Sequence, residues 1–403
     1  METLAVIGCQ FGDEGKGKII DFLAKDFDIS VRFNGGENAG HTVVFNRNTI
    51  KFHLVPAGFL RSRTSVIANG VVINLRKLSE EIEMLKKFRA SFDIKISHIS
   101  HVVTDLHMKR DRYLEELRGK GAIGTTLKGI GPAYESKYGR YGIRIADLYN
   151  KETLEERLSF LSRVYGISYE KSYVDSVLHD FAKIEGFVTD TREYLSEEAE
   201  SGSRILFETA NGTFIDIDYG TYPYVTSSST VSPGITVGTG LSPKYFRRFI
   251  GVAKAYTTRV GEGVFPTEIK GEEAEILRTL GNEYGSTTGR PRRVGYLDIP
   301  MLRTAVKINS LDYLALTKVD VLGKMKDIKV AVSYEAGGSE MKEFDPSNLP
   351  EKINYEHFDS WEGNRSKLNR YIEFIEDELR IPVVLVGIGE DRDSIEKRGD
   401  IAL

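Results

Sequence analysis

A carboxylate inside a glycine-rich turn, two lysines beside it and a histidine further along are the groups of this chain best suited to chemistry. They lie in Gly8-Cys9-Gln10-Phe11-Gly12-Asp13-Glu14-Gly15-Lys16-Gly17-Lys18 and in Asn38-Ala39-Gly40-His41-Thr42. An apolar run, Leu4-Ala5-Val6-Ile7, precedes the first stretch, and Ile19, Ile20, Phe22 and Leu23 follow it at helical spacing. Strand, glycine loop and helix in that order turn backbone N–H groups and a helix N-terminus toward an anion, so a phosphate cradle is expected. The usual phosphate loop has four residues between its first Gly and the Gly-Lys pair, then a Ser or Thr that holds Mg²⁺. Here six residues intervene, and Gly17 stands where the hydroxyl belongs. Asp13 is the nearest group able to replace it. A carboxylate in such a cradle repels the ligand unless it holds a cation or takes a proton from a substrate; the plain alternative is a helix cap.

Three further constellations point the same way. His41 sits in a Gly-flanked loop expected to face the phosphates, where it could stabilise charge or give a proton. The other histidines (His53, His98, His101, His107, His179 and His357) read as structural. Thr317-Lys318-Val319-Asp320 resembles the guanine-reading Asn-Lys-x-Asp of GTPases and likewise follows an apolar strand. A carboxylate there can accept from guanine N1–H and the 2-amino group, which adenine cannot offer, so GTP is favoured over ATP. Ser286, Thr287 and Thr288 precede Gly289-Arg290-Pro291-Arg292-Arg293, a shaped turn whose arginines suit a carboxylate or a phosphate.

The elements that must hold these groups read as strands ending in glycine turns, alternating with helices. Strands are expected at residues 29–33, 65–68, 204–207, 313–316 and 382–386, the last being the final core strand, and a surface helix at residues 75–89. This pattern predicts an α/β fold: a P-loop-like, large, mostly parallel central sheet flanked by helices, with ligands at the strand C-terminal ends. The glycine-dense residues 119–147 read as backbone closely approaching a ligand or a partner rather than a regular element, and residues 220–243 are another segment rich in Gly, Ser, Thr and Pro. Residues 150–202 read as a helical insertion, and residues 323–370 carry no readable motif. One domain spanning 1–403 is the economical organisation. The net charge of −4 gives no electrostatic case for nucleic acid. No run is long and apolar enough for a membrane span, and no signal peptide is visible. The one cysteine, Cys9, fits a reducing compartment as a small apolar filler, so the cytoplasm is expected.

Taken together, these stretches resemble the adenylosuccinate synthetase family. The residues that carry the resemblance are 10–18, 38–42, Ile123-Gly124-Thr125-Thr126, residues 129–135, Asp216-Ile217-Asp218, residues 220–228, Thr287-Thr288-Gly289-Arg290 and Thr317-Lys318-Val319-Asp320. The resemblance implies a ligase forming a C–N bond: IMP, L-aspartate and GTP give adenylosuccinate, GDP and phosphate through 6-phosphoryl-IMP. It implies catalytic roles for Asp13 as base, His41 as acid, Lys16 and Asn211. It places GTP on Gly12, Asp13, Glu14, Gly15, Lys16, Gly17, Lys18, Gly40, His41, Thr42, Arg292, Lys318, Val319, Asp320, Gly387, Ile388 and Gly389. It places IMP on Asp13, Glu14, Gly15, Lys16, Asn38, Ala39, Gly40, His41, Thr126, Asn211, Thr226 and Arg290, with Arg140 reaching the IMP site of the other subunit in a homodimer. L-Aspartate falls on Ser286, Thr287, Thr288, Gly289, Arg290, Pro291 and Arg292. One Mg²⁺ per subunit would be held by Asp13 and the Gly40 carbonyl.

The chain departs from the family pattern in places. Glu208-Thr209-Ala210-Asn211-Gly212 stands for Glu-Gly-Ala-Gln-Gly, making the Asn211 side chain one methylene shorter. Leu127-Lys128 replaces Gly-Arg, Pro291 interrupts an arginine run, and Gly387-Ile388-Gly389-Glu390 replaces Ser-Thr-Gly-Pro, losing a hydroxyl. Two other readings stay open at this point: a related GTP-driven ligase acting on another purine-like oxo group, and a non-catalytic nucleotide-binding regulator.

Overall fold

The computed structural model describes residues 2–284, 289 and 291–402. The strands of its main sheet and of one hairpin, in chain order, are β1 (Thr3–Gly8), β2 (Ile29–Arg32), the hairpin β3 (His41–Phe45) and β4 (Asn48–Phe52), then β5 (Thr64–Ile67) and β6 (Asp93–Ser97). They continue as β7 (Val188–Thr189), β8 (Ile205–Glu208), β9 (Arg248–Lys254), β10 (Tyr313–Thr317), β11 (Val383–Gly387) and β12 (Ile395–Lys397). All but the hairpin form one 10-stranded sheet in the order β12-β11-β10-β9-β1-β8-β2-β5-β6-β7. Every pairing is parallel except that of β12 with β11.

β1 explains why the sheet is built this way. All six of its residues are buried, because helices cover both faces of a parallel sheet and its strands must be apolar on both. Side chains alternate: Leu4 and Val6 join Ile19 and Ile20 in one core, while Ala5 and Ile7 join Phe11 and Phe207 in the other. From β1 the chain runs to β2, leaving a place later filled by β8, and afterwards lays β9 on the other side of β1. The strand order therefore diverges at the C-terminal end of β1, the position where open α/β sheets bind ligands. The glycine loop leaves β1 at that end and leads into helix α1 (Lys16–Ala24).

The expected strands are all present, and residues 75–89 contain the helix Leu75–Lys86, capped by Asn74, whose side chain accepts from Lys77 N. Several expectations are corrected. Pro382 to Val386 does give the last fully buried strand, β11, but the half-exposed β12 adds an antiparallel edge beyond it. Residues 119–147 include the regular helix Ile130–Tyr138, and residues 220–243 include Gly234–Thr239. Gly129 and Gly240 sit at the ends of these helices with φ of 73° and 77°, where they start or stop a helix, whereas Gly124 and Gly131 line the main cleft. The segment 150–202 is mostly helical but also supplies β7, the far edge of the sheet. Residues 323–370 hold a small sheet in which Asp327–Ala336 pairs antiparallel with Lys352–Asp359 and Ser339–Met341. Asp327–Ala336 is largely buried and carries apolar residues at every second position, Ile328, Val330, Val332, Tyr334 and Ala336, an alternation that marks a strand. Among the described residues no helix is long and apolar enough to cross a membrane.

Gly8 shows how tightly the sheet end fits the loop. A Cβ there would lie 2.6 Å from Asn211 O and 2.7 Å from Glu14 Oε2. Gly8→Ala is expected to cost about 1–3 kcal/mol of stability through overpacking, read as a lower urea midpoint at unchanged m-value.

Candidate active site

The glycine loop turns on three residues with positive φ: Gly12 (93°), Asp13 (59°) and Gly15 (87°). Asp is one of the few non-glycine residues that adopt this conformation, and here it aims the Asp13 carboxylate, partly exposed, into the main cleft. Glu14 points the other way. Its carboxylate is fully buried and accepts from Gln10 N (3.1 Å), Gly12 N (2.9 Å) and Lys16 Nζ (2.6 Å). Lys16, expected against phosphate, is therefore paired with Glu14, because a buried ammonium needs a carboxylate partner. Lys18, also expected against phosphate, donates to Gly389 O (2.6 Å) and Ser394 O (2.8 Å) and stays outside the main cleft. Burial brings its pKa down to about 8. Gly17 has a steric explanation. A Cβ there would stand 2.8 Å from His41 Cβ and 3.1 Å from Thr42 N, so no Ser or Thr fits at this point of α1.

His41 is not in a loop: it is the first residue of β3, and it is buried. Its Nδ1 lies 2.5 Å from Glu208 Oε1. Arg32 Nη1 donates to the same oxygen (2.9 Å), and Ala57 N donates to Oε2 (2.7 Å). Arg32 and Glu208 end the adjacent strands β2 and β8 in register. Burial pushes the His41 imidazole below its ordinary pKa, and Glu208 works against that. Burial likewise pushes the Glu208 carboxyl up, but His41, Arg32 and the Ala57 N–H outweigh it and hold the carboxyl below its ordinary 4.5. A carboxylate accepts, so the imidazole donates Nδ1–H to it, leaving Nε2 as the atom free to exchange a proton.

These groups share one cleft of about 560 Å³, lined also by Asn38, Ala39, Gly40, Thr42, Thr126, Asn211 and Thr226. Asn38 Oδ1 and Asn211 Oδ1 are buried without a hydrogen-bond partner. A polar ligand in the cleft would satisfy atoms that are otherwise costly to bury. Arg292 closes one side: its Nε donates to Asp13 Oδ2 (2.7 Å) and its Nη1 to Glu283 Oε2 (2.8 Å). Among the described residues no three His, Cys, Asp or Glu side chains come together as a metal cluster. Asp13 with the nearby Gly40 fits a magnesium ion that takes one carboxylate and draws its other ligands from substrate and water.

Lys318, Val319 and Asp320 open a short helix, Val319–Leu322, just after β10, and Lys318 Nζ donates to Gly281 O (3.1 Å). Asp320 and Ile388 line a second cavity, of about 370 Å³, together with Trp361 and Asn364. Trp361 comes from the segment whose sequence said least. Gly387 and Gly389 adjoin this side of the molecule but line neither cavity. Arg140 is exposed just past the C-terminus of the helix Ile130–Tyr138, outside both cavities. Ser286, Thr287, Thr288 and Arg290 lie outside the described residues; Gly289 and Pro291 are described, and Pro291 bridges Tyr284 at the neck of their loop.

A family model described as adenylosuccinate synthetase matches residues 5–396. The chain belongs to the adenylosuccinate synthetase family. It is 45% identical to the adenylosuccinate synthetase of Picrophilus torridus, covering 96% of this chain and 98% of that one. It is 43% identical to that of Carboxydothermus hydrogenoformans, covering 98% of each. The structure of fully ligated adenylosuccinate synthetase from Plasmodium falciparum superposes with a TM-score of 0.92 at 36% identity, over 99% of this chain and 100% of that one. A cyanophage S-2L succinoaminodeoxyadenylate synthetase, 19% identical with a TM-score of 0.67, shares the fold. Adenylosuccinate synthetases are ligases that join L-aspartate to IMP at the expense of GTP.

Reading the sequence missed what holds the histidine. Glu208 and Arg32 are charged residues ending fully buried strands, Glu208 directly after Ile205-Leu206-Phe207, and that mismatch is the signal that could have found them. Cys9, read as a filler, is buried beside Gly251, and burial pushes its thiol pKa up, away from reactivity. Glu208→Ala would leave Arg32 buried without its carboxylate, so a loss of about 3–5 kcal/mol is expected at neutral pH. Because the folded carboxyl titrates below 4.5, its contribution is complete above that pH and fades as pH falls below it. Urea unfolding of wild type and variant at neutral pH and below pH 4.5 should show the gap narrowing in acid.

Proposed function

We propose that this chain, acting as one domain, condenses IMP with L-aspartate in the main cleft, driven by GTP. The observation that carries this reading is Asp13 and an oriented His41 lining one cleft with the unpartnered oxygens of Asn38 and Asn211. Asp13 takes the N1 proton of IMP, so that the 6-oxygen becomes nucleophilic and attacks the γ-phosphorus of GTP. GDP leaves, and 6-phosphoryl-IMP remains. The amine of L-aspartate then attacks C6, phosphate departs with the C6–O bond, and the amine loses a proton. His41 Nε2 meets the phosphoryl oxygens, whose negative charge draws onto it the proton that burial alone disfavours. Lys16 moves its charge from Glu14 toward the phosphates, and the glycine loop supplies N–H donors. Magnesium held by Asp13 and the Gly40 carbonyl would neutralise charge on the phosphates.

Around that centre, IMP extends to Thr126, Thr226 and Arg290, and the guanine lies in the second cavity, with Asp320 accepting from its N1–H and 2-amino group. Ile388 lines that cavity with an apolar face where the family has a hydroxyl. L-Aspartate sits in the loop of residues 286–292. Asn211 meets the 6-position of IMP; its buried, unpartnered oxygen supports this despite the shorter side chain. The exposed Arg140 is free to enter a partner subunit's IMP site, which makes a homodimer the working form. A buried single cysteine and a soluble substrate set agree with the cytoplasm.

Incubation with IMP, L-aspartate and GTP should produce the adenylosuccinate absorbance. Product from a related purine but none from IMP would select the alternative ligase. Asp13→Ala should lower kcat by about 10²- to 10⁴-fold, the range for a lost general base, while GTP binding persists in part. Mixing inactive Arg140→Leu and Asp13→Ala subunits should restore activity through hybrid sites; no recovery, with subunit exchange verified, would argue against a shared site.

A further inference from the structure

Behind Arg292 lies a buried group that the mechanism above does not use. Glu283 is almost fully enclosed and follows the helix Glu272–Gly281 by two residues. Its Oε1 accepts from Lys254 Nζ (2.7 Å) and from Tyr256 OH (2.6 Å), and its Oε2 accepts from Arg292 Nη1 (2.8 Å). Lys254 is equally buried, at the end of β9, and donates also to Thr258 Oγ1 (2.8 Å). Gln10 of the glycine loop grips the same segment: its Oε1 accepts from Lys254 N (2.9 Å) and its Nε2 donates to Tyr256 O (3.0 Å). The backbone repeats the side-chain link, because Arg292 N donates to Glu283 O (2.9 Å). That bond, with the Tyr284–Pro291 bridge, pinches shut the neck of the loop between residues 284 and 291.

Two carboxylates thus share one guanidinium, on different edges and in different surroundings. Glu283 is 1% exposed and Asp13 36% exposed, while Arg292 between them is 13% exposed. Burial alone would raise the Glu283 carboxyl, but Lys254 and Arg292 bring it down to about 2, so it is anionic at any working pH. The Glu283 edge is desolvated and fixed by three donors; the Asp13 edge faces water and the cleft. Of the two contacts, the exposed one is the weaker and the one able to exchange.

We propose that Glu283 is a positioning residue: it anchors Arg292 by one edge, so that the opposite edge can be handed from Asp13 to a carboxylate of the incoming L-aspartate. The exchange forms and breaks hydrogen bonds only. It frees Asp13 for its work as base at the moment the third substrate is bound, and it keeps the arginine in place while its partner changes. The inference rests on reading residues 286–292 as the L-aspartate loop.

The test is steady-state kinetics of the purified full-length enzyme with each substrate varied in turn. Glu283→Gln should raise the KM for L-aspartate about tenfold or more, the effect of losing one charge-assisted hydrogen bond. The KM for IMP, whose expected contacts do not include Arg292, should stay within about twofold of wild type, a split that general loosening of the fold would not give. Because Glu283→Gln leaves Lys254 buried without its carboxylate, the pair Lys254→Met with Glu283→Leu gives a second arm: apolar replacement of both partners preserves packing and should show the same L-aspartate effect. Arg292→Lys, nearer the surface, keeps one charge but cannot span two carboxylates, and it should raise the same KM with the Glu283 hub left in place. An unchanged L-aspartate KM in any arm that folds, or parallel rises for all three substrates, would overturn the proposal. Failure of the wild type to form adenylosuccinate would instead overturn the assignment of the reaction.

Discussion

The site depends on a carboxylate that never reaches solvent. Glu208 receives His41 and Arg32 on one oxygen and the Ala57 N–H on the other. Isolated in a low-dielectric interior, none of these charges would be tolerated. Together they form a cluster whose members sit on β2, β3, β8 and the turn after β4, so that it ties the hairpin to the central sheet. The histidine is oriented because the sheet places Arg32 and Glu208 in register at the ends of two fully buried strands. The orientation of the imidazole and the stability of the fold meet in the same hydrogen bonds.

Charge in the rest of the site is arranged in the same paired manner. Lys16 has Glu14, Lys254 has Glu283, and Arg292 divides itself between Glu283 and Asp13. A cleft that gathers several cations would suffer from their mutual repulsion if they stood unpaired. Internal carboxylates hold each cation near its post. The substrate groups then compete with those carboxylates, and partners closest to water exchange most easily.

How much of this could be read in the sequence depends on range. β1, the glycine loop and α1 were legible because strand, turn and helix signals follow one another within a few dozen residues, and Asp13 stood out as a carboxylate in an anion cradle. Asp320 was legible for a similar reason, as a short motif after an apolar strand. The partners of these residues were not. His41 meets Glu208, and Arg292 meets Asp13, across separations of 167 and 279 residues, where only the closed sheet defines who is adjacent. Lys16 and Lys18 are expected against phosphate from their position in the loop, whereas the acceptors they hold in the structure, Glu14 and two carbonyls, carry no local signal in the sequence. The small sheet around Asp327–Ala336 was legible too, in the alternation of Ile328, Val330, Val332, Tyr334 and Ala336, but its strand carries no chemical motif to draw the eye, although Trp361 beside it lines the same cavity as Asp320.

The contact between Gly17 and the His41 backbone also constrains how such a loop can change over time. A conventional phosphate loop keeps a hydroxyl next to its lysine, whereas here that space is already filled by the strand that carries the histidine. The two arrangements are mutually exclusive within one backbone. Restoring Ser at this position by a single substitution would displace the histidine before it could gain an ion ligand, so neither state is reachable from the other by one functional step. A lineage with glycine at this position would be held to it by packing alone.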